Sequence, residues 1–436
     1  MILYGAPNPS HSGFDPESSA VLDSRFPGND LIVTYCCRSS NTGHLHFGLT
    51  HCLDFIDMPV CSSYTAAPEK RCLARNLRLH PIEQGLVGRM QRFAGGQPAL
   101  SAERATTFSF TAGASMKIRF WGTRGSLPTA TAGDLIEQKI FRALKASRSQ
   151  NLDDDAAIRA FIGKLPFAVR QSYGGNTACV EIQGGQPEYV LCDAGTGLRD
   201  FGNAFMKTAY GTLAPSSTVF HLFISHLHWD HIQGFPFFTP AYVPGHQVRI
   251  YGYHPALEKA FVNQQSPPSF PVPLKAMKAD ISFHVLEPGR ACEVAGMKVT
   301  GISQNHPGDS YGYCFSGNGK KVIYSSDAEH KADAESEDYA FIGFFKDADL
   351  LIFDAQYQLR DAIDAKENWG HSSNVLGVEL SVRAGVRRLC LFHSEHSYDD
   401  DALDQFLADT REYLKIYDAS SPLEIQLAYD GLVMEI

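Results

Sequence analysis

The segment FISHLHWDHIQGFPFF, residues 223–238, packs His226, His228, Asp230 and His231 into six consecutive positions. It follows the apolar run VFHLF, whose residue types read as a β-strand. Side chains alternate along an extended exit from that strand, so His226 and His228 project to one side. The turn that follows carries Asp230 and His231 to a neighbouring point. Three imidazoles and a carboxylate suit a borderline cation such as Zn²⁺, Mn²⁺ or Fe²⁺. Solvated loop histidines are the plain alternative, and the density of the pattern directly after an apolar strand weighs against them. A chain carrying such a motif needs a fold in which strand ends converge.

Three further residues close apolar runs in the same manner. His306 follows KVTGIS, Asp327 closes KKVIYSS, and His393 closes RRLCLF. Singly, each reads as an ordinary turn or capping residue. Together with the motif they exceed one tetrahedral cation and fit two cations sharing a bridging carboxylate. The expected grouping is His226, His228 and His306 on one ion, Asp230, His231 and His393 on the other, and Asp327 between them. His396 competes with His393 for the last place; the strand-end position favours His393.

The rest of the chain narrows the class. It has 436 residues, 44% of them hydrophobic, with 28 Phe and 18 Tyr, enough for a sizeable core. Its 38 basic and 48 acidic residues give a net charge of −10, which excludes a global basic field for long nucleic acid. No run approaches the ~20 apolar residues of a membrane span. The start MILYGAPNPSHSGF lacks a secretory pattern, so a cytoplasmic protein is expected. The 10 cysteines include no Cys-x-x-Cys pair and read as reduced structural thiols. Residues 1–115 show poor periodicity, a balance of charges and five of the cysteines; HLHFGLTH there (His44, His46, His51) reads as a chance cluster. They read as a poorly ordered extension or a mis-assigned start. The folded domain is expected over 116–436, opening on the strand KIRFWG. Helices are expected in the insertion 130–171 (IEQKIFRALKA and DDAAIRAFIGKL) and over SNVLGVELSVRAG and ADTREYLKIYD. ACVEI, EYVLCDAG, VFHLFISH, VRIYG, KVTGISQNH, YGYCFS, KKVIYSSD, DLLIFDA and RRLCLFH read as strands. Interleaved strands and helices make the class α+β or mixed α/β. No Gly-x-Ser-x-Gly elbow or Walker A sequence is present.

HLHWDH with His306, Asp327 and His393 in that order resembles the metallo-β-lactamase superfamily. RFWGTRGSLP, YGGNTACVEI, LCDAGTGLRDFG and HWDHIQGFPFFTPAYVPG resemble its bacterial phosphodiesterase branch, which includes phosphoribosyl cyclic phosphodiesterases and relatives of ribonuclease Z. Covering residues 116–436, the resemblance implies an α+β, four-layer αββα sandwich with a site for two divalent metal ions, zinc first among them, at one edge between the sheets. It also implies a role for Gly370-His371-Ser372-Ser373: His371 is not a ligand but contacts the scissile phosphate or the leaving oxygen. A capping Ser beside a surface His is the plain alternative. Asp193, and similarly Asp354, are implied to orient a metal-binding His through its second nitrogen. Gly174-Gly175-Asn176 and Gly195-Thr196-Gly197 read as tight turns supplying positive φ.

The expected activity is hydrolysis of a small phosphodiester, cyclic ones included, by a metal-bridging hydroxide, with Asp230 orienting the nucleophile and His371 assisting the leaving group. Rival readings are a tRNA 3′-processing endonuclease, a thiolester or lactam hydrolase on the same fold, and a non-catalytic metal-binding sensor. The segment 261–277, FVNQQSPPSFPVPLKAM, is expected to flank the cleft. A homodimer stays open.

Overall fold

The computed structural model describes residues 115–211, 217–358 and 368–436. The expected extension 1–115 lies outside them except for Ser115, and so do His44, His46 and His51. Two mixed sheets organise the described residues. The first runs, in spatial order, β14 (Val433–Glu435), β1 (Lys117–Gly122), β2 (Cys179–Gln183), β3 (Tyr189–Cys192), β4 (Val219–Phe223), β5 (Gln247–Gly252) and β6 (Asp280–Val285). Pairing is antiparallel from β14 to β3 and parallel from β3 to β6. The second runs β13 (Glu424–Leu427), β12 (Arg388–Phe392), β11 (Leu350–Asp354), β10 (Lys320–Ser325), β9 (Ser310–Gly317), β8 (Met297–Gln304) and β7 (Cys292–Val294). It is antiparallel from β7 to β10 and parallel from β10 to β13. The last strand, β14, returns to the first sheet, where Met116 and Ile436 exchange backbone hydrogen bonds of 3.1 and 3.0 Å.

Three apolar cores separate four layers. Ile118, Phe120, Phe223, Tyr313, Phe315, Tyr324, Ile352 and Phe392 meet between the sheets. Leu222, Val248 and Ile250 face outward onto the helices Gly197–Gly211 and Leu257–Gln264 through Leu198, Phe201, Leu257 and Phe261. Leu351, Phe353, Leu389 and Leu391 face outward onto the helices Asn374–Ala384 and Asp400–Tyr417 through Val378, Leu380, Leu403 and Phe406. Strands such as LLIFD read as unbroken apolar runs because each face is buried in a different core. The outer helices begin on polar caps: Ser373 accepts from the Leu376 N–H, and Asp399 from the Ala402 N–H.

This arrangement positions the site. β3 and β4 run parallel, as do β10, β11 and β12, and β8 shares their direction through antiparallel β9. Every candidate residue follows the carboxyl end of one of these strands, where open α/β sheets gather their ligands.

Candidate metal centre

β4 ends at Phe223, and the chain leaves through Ser225 to His226 and His228 before one helical turn, Trp229–Ile232, brings Asp230 and His231 inward. His306 follows β8, Asp327 follows β10 and His393 follows β12. The structure brings all of them together. His306 Nε2 lies 3.1 Å from His228 Nδ1, and His231 Nε2 lies 3.2 Å from His393 Nε2. Asp230 Oδ2 is 3.2 Å from both His231 Nε2 and His393 Nε2. Asp327 stands between the groups: its Oδ1 is 3.2 Å from His231 and 3.3 Å from His393, while its Oδ2 is 3.6 Å from His226 and 3.7 Å from His306.

A cation fits these residues on two observations. The Nε2 of fully buried His226 has no hydrogen-bond partner, a costly arrangement for a polar atom enclosed in protein. The far ring nitrogens of four of these histidines, by contrast, are held. His231 Nδ1 meets Asp193 Oδ2 at 2.7 Å, His306 Nδ1 meets the Gly370 carbonyl at 2.8 Å, His393 Nδ1 meets Gln356 Oε1 at 3.1 Å, and His226 Nδ1 meets Ser225 Oγ at 3.1 Å. With acceptors on the outer side, the inner nitrogens present lone pairs to the centre, the form that binds a metal. His226, His228 and His306 could hold one ion; Asp230, His231, Asp327 and His393 could hold another.

The electrostatics agree with that division. Burial lowers the pKa of His226, His228 and His306 despite the opposing charge of Asp327, which keeps these rings neutral. Burial also opposes charge on His231, but Asp327, Asp230 and Asp193 outweigh it and raise its pKa well above the ordinary value. A cation among those carboxylates would displace that proton.

Backbone strain marks the same edge. Asp193, Asp327 and His393 occupy positive φ, at 60°, 50° and 61°. Such conformations cost on the order of 1–3 kcal/mol each and persist where the surroundings over-determine them. Gly174 supplies positive φ, at 90°, as its turn reading requires. Gly195 does not, contrary to expectation: it is needed for close approach, since a Cβ there would lie 2.4 Å from the Asp230 carbonyl oxygen.

His371 sits beside the centre, its side chain 9% exposed, with Nδ1 2.9 Å from Asp354 Oδ2 and 3.9 Å from Asp327 Oδ2. Burial lowers its pKa, but Asp354 and then Asp327 overcome this and set it at about 9. The neighbouring serines have separate tasks: Ser373 caps the helix, and Ser372 donates to the Ala328 carbonyl. His396 is turned away, its side chain 42% exposed and 3.2 Å from Glu395. From the proline-rich segment, Gln264 donates to the Ile232 carbonyl and Phe270 packs on Phe237.

Several residues that support this centre escape a reading of the sequence. Ser225, through its N–H and Oγ, and the Tyr324 hydroxyl donate to Asp193, which also meets His231. Gln356, which holds His393, donates in turn to Glu395 and Ser126. The Ser126 N–H, in the GTRGS turn after β1, donates to Asp230 Oδ2 at 2.9 Å, which gives that turn its purpose. Ser, Gln and Tyr at such long separations leave no local pattern. The only available signal was the GTRGS string itself.

A model of the β-lactamase superfamily domain matches residues 188–394. The chain is thus similar to the β-lactamase superfamily over just under half of its length. Its fold is the metallo-β-lactamase sandwich, and it is a hydrolytic enzyme. The chain is 23% identical to a ribonuclease Z of Oceanobacillus iheyensis over 265 residues, 49% of this chain and 84% of that protein. It is 24% identical to a ribonuclease Z of Methanosarcina acetivorans over 294 residues, 56% of this chain and 90% of that one. Among solved structures, the metallo-β-lactamase fold protein YhfI from Bacillus subtilis superposes with a TM-score of 0.47 at 18% identity, covering 74% of this chain and 99% of YhfI.

Proposed function

We propose that this enzyme holds two divalent cations, zinc first among them, and hydrolyses small phosphodiesters. One observation carries the reading: Asp327 turns one oxygen to each of two histidine groups, and His371 stands beside them on Asp354. Bound there, two cations would lower the pKa of water towards ~7 and neutralise charge on phosphoryl oxygens.

The chain's own residues supply the rest. Asp230, fixed by the Ser126 N–H, orients the attacking water. His371, pinned through Nδ1, directs its other nitrogen to a phosphoryl oxygen or to the departing alkoxide and gives up a proton there. Asp354 keeps the imidazolium charged and correctly turned. A cytoplasmic site of action is part of this reading, supported by free thiols at Cys179, Cys192, Cys314 and Cys390.

A second reading, a tRNA 3′-processing endonuclease, draws support from the ribonuclease Z relatives. Against it stands the net charge of −10, which opposes a long polyanion. Metal-loaded full chain assayed on bis(p-nitrophenyl) phosphate, a ribosyl cyclic phosphate, precursor tRNA, a thiolester and a lactam separates the readings. Turnover of the small diesters without tRNA cleavage is expected. Thiolester or lactam turnover alone, or full metal with no turnover, would overturn the proposal.

A further inference from the structure

Tryptophan is a large, mostly buried residue, and one left in water asks for a reason. This chain has 3 Trp. Trp121 is buried and donates its indole N–H to Glu181. The other two, Trp229 and Trp369, are 83% and 59% exposed. Both are rooted on the candidate metal centre. Trp229 lies between His228 and Asp230, opening the helical turn that carries Asp230 and His231 inward. Trp369 precedes Gly370, whose carbonyl accepts from His306 Nδ1 at 2.8 Å, and stands two residues before His371. His228 and His306 are themselves 3.1 Å apart. Trp229 is therefore one residue from His228, and Trp369 one residue from the glycine that holds His306, the other member of that imidazole pair.

The position of Trp369 is also imposed. Gly370 adopts φ 87°, and a Cβ there would fall 2.4 Å from His306 Nδ1, so the chain is pressed against that ring. Neither indole contributes to the three cores.

We propose that Trp229 and Trp369 bind the planar base of a nucleotide substrate whose phosphodiester lies on the adjacent His and Asp groups. This rests on the phosphodiesterase reading and narrows it: the preferred diester carries a nucleobase and is not a bare sugar phosphate. Every base offers a π-face, so stacking on indoles recognises nucleotides without selecting one base, and each stacked base contributes on the order of a 10- to 100-fold gain in affinity.

The test uses metal-loaded full chain, with adenosine monophosphate and ribose 5-phosphate as probes. Because Trp121 is buried, quenching of the intrinsic fluorescence by a bound base reports mainly on the two exposed indoles. Adenosine monophosphate should quench it saturably and bind at least 10-fold tighter than ribose 5-phosphate, whose affinity is read by competition. Trp229→Ala and Trp369→Ala should each erase much of that preference, and Trp229→Phe and Trp369→Phe should restore it. Equal affinity for the two probes, absence of quenching by the nucleotide, or alanine variants that bind it as the parent does would each overturn the proposal. Ribose 5-phosphate bound without base preference removes the clamp alone. Metal content near zero with neither phosphate bound removes the phosphodiesterase reading as well.

Discussion

Replacing Asp193 with asparagine keeps the side-chain volume and removes one acceptor. In the parent, Oδ2 accepts from His231 Nδ1 at 2.7 Å, Ser225 Oγ at 2.8 Å and the Tyr324 hydroxyl at 2.6 Å, while Oδ1 accepts from the Ser225 N–H at 2.7 Å. An amide cannot serve both ends. With its NH₂ at Oδ2 it faces the His231 N–H and drives the ring to the other tautomer, which points a hydrogen at the cation. With its NH₂ at Oδ1 it meets the Ser225 N–H. Either orientation loses a buried, charge-assisted hydrogen bond worth about 1.5–3 kcal/mol. Metal affinity at the Asp230–His231–His393 position should fall about 10- to 100-fold, or roughly 1.4–2.8 kcal/mol. Competition against a chromophoric zinc chelator measures this, with circular dichroism to show the variant is folded. A folded Asp193→Asn protein binding both ions within twofold of the parent would refute the reasoning.

Other substitutions probe separate links. His371→Ala should keep its metal and lose kcat by on the order of 10²–10⁴-fold on bis(p-nitrophenyl) phosphate; parental turnover would remove the residue from the mechanism. Gly370→Ala forces a Cβ to 2.4 Å from His306 Nδ1 at φ 87°, so metal affinity and melting temperature should both drop, seen by chelator competition and calorimetry. Phe223→Ala opens a cavity between the sheets, where the ring contacts Tyr251, Tyr313 and Phe315, and should cost about 3–5 kcal/mol in urea denaturation. A loss below ~1 kcal/mol there would contradict the assigned core.

The strands flanking the site were legible because both faces of each are largely buried, which makes runs such as FHLF, KVIYS and LLIFD predominantly apolar, without a polar residue at every second position. The ionisable residue ending each run then announced the strand's carboxyl end. Edge elements were not legible. β6 is half-exposed, and β7, β13 and β14 span only three or four residues, too short to show a period. The helix Gly197–Gly211 hid behind GTGLRDFG, whose glycines resemble a turn although they serve close packing. In the insertion, helices appear at Gly133–Ser147 and Asp155–Lys164, near the expected places. Residues that aim the imidazoles, notably Gln356, Ser225 and Tyr324, act across long stretches of chain and become visible only when the strand ends meet.

The most direct test is metal stoichiometry by mass spectrometry on the purified chain and on Asp327→Ala. The account predicts two divalent ions per parent chain and a marked loss from the variant, since one carboxylate serves both positions. A parent chain that binds no ion, or a folded Asp327→Ala chain that still binds two with undiminished affinity, would contradict it.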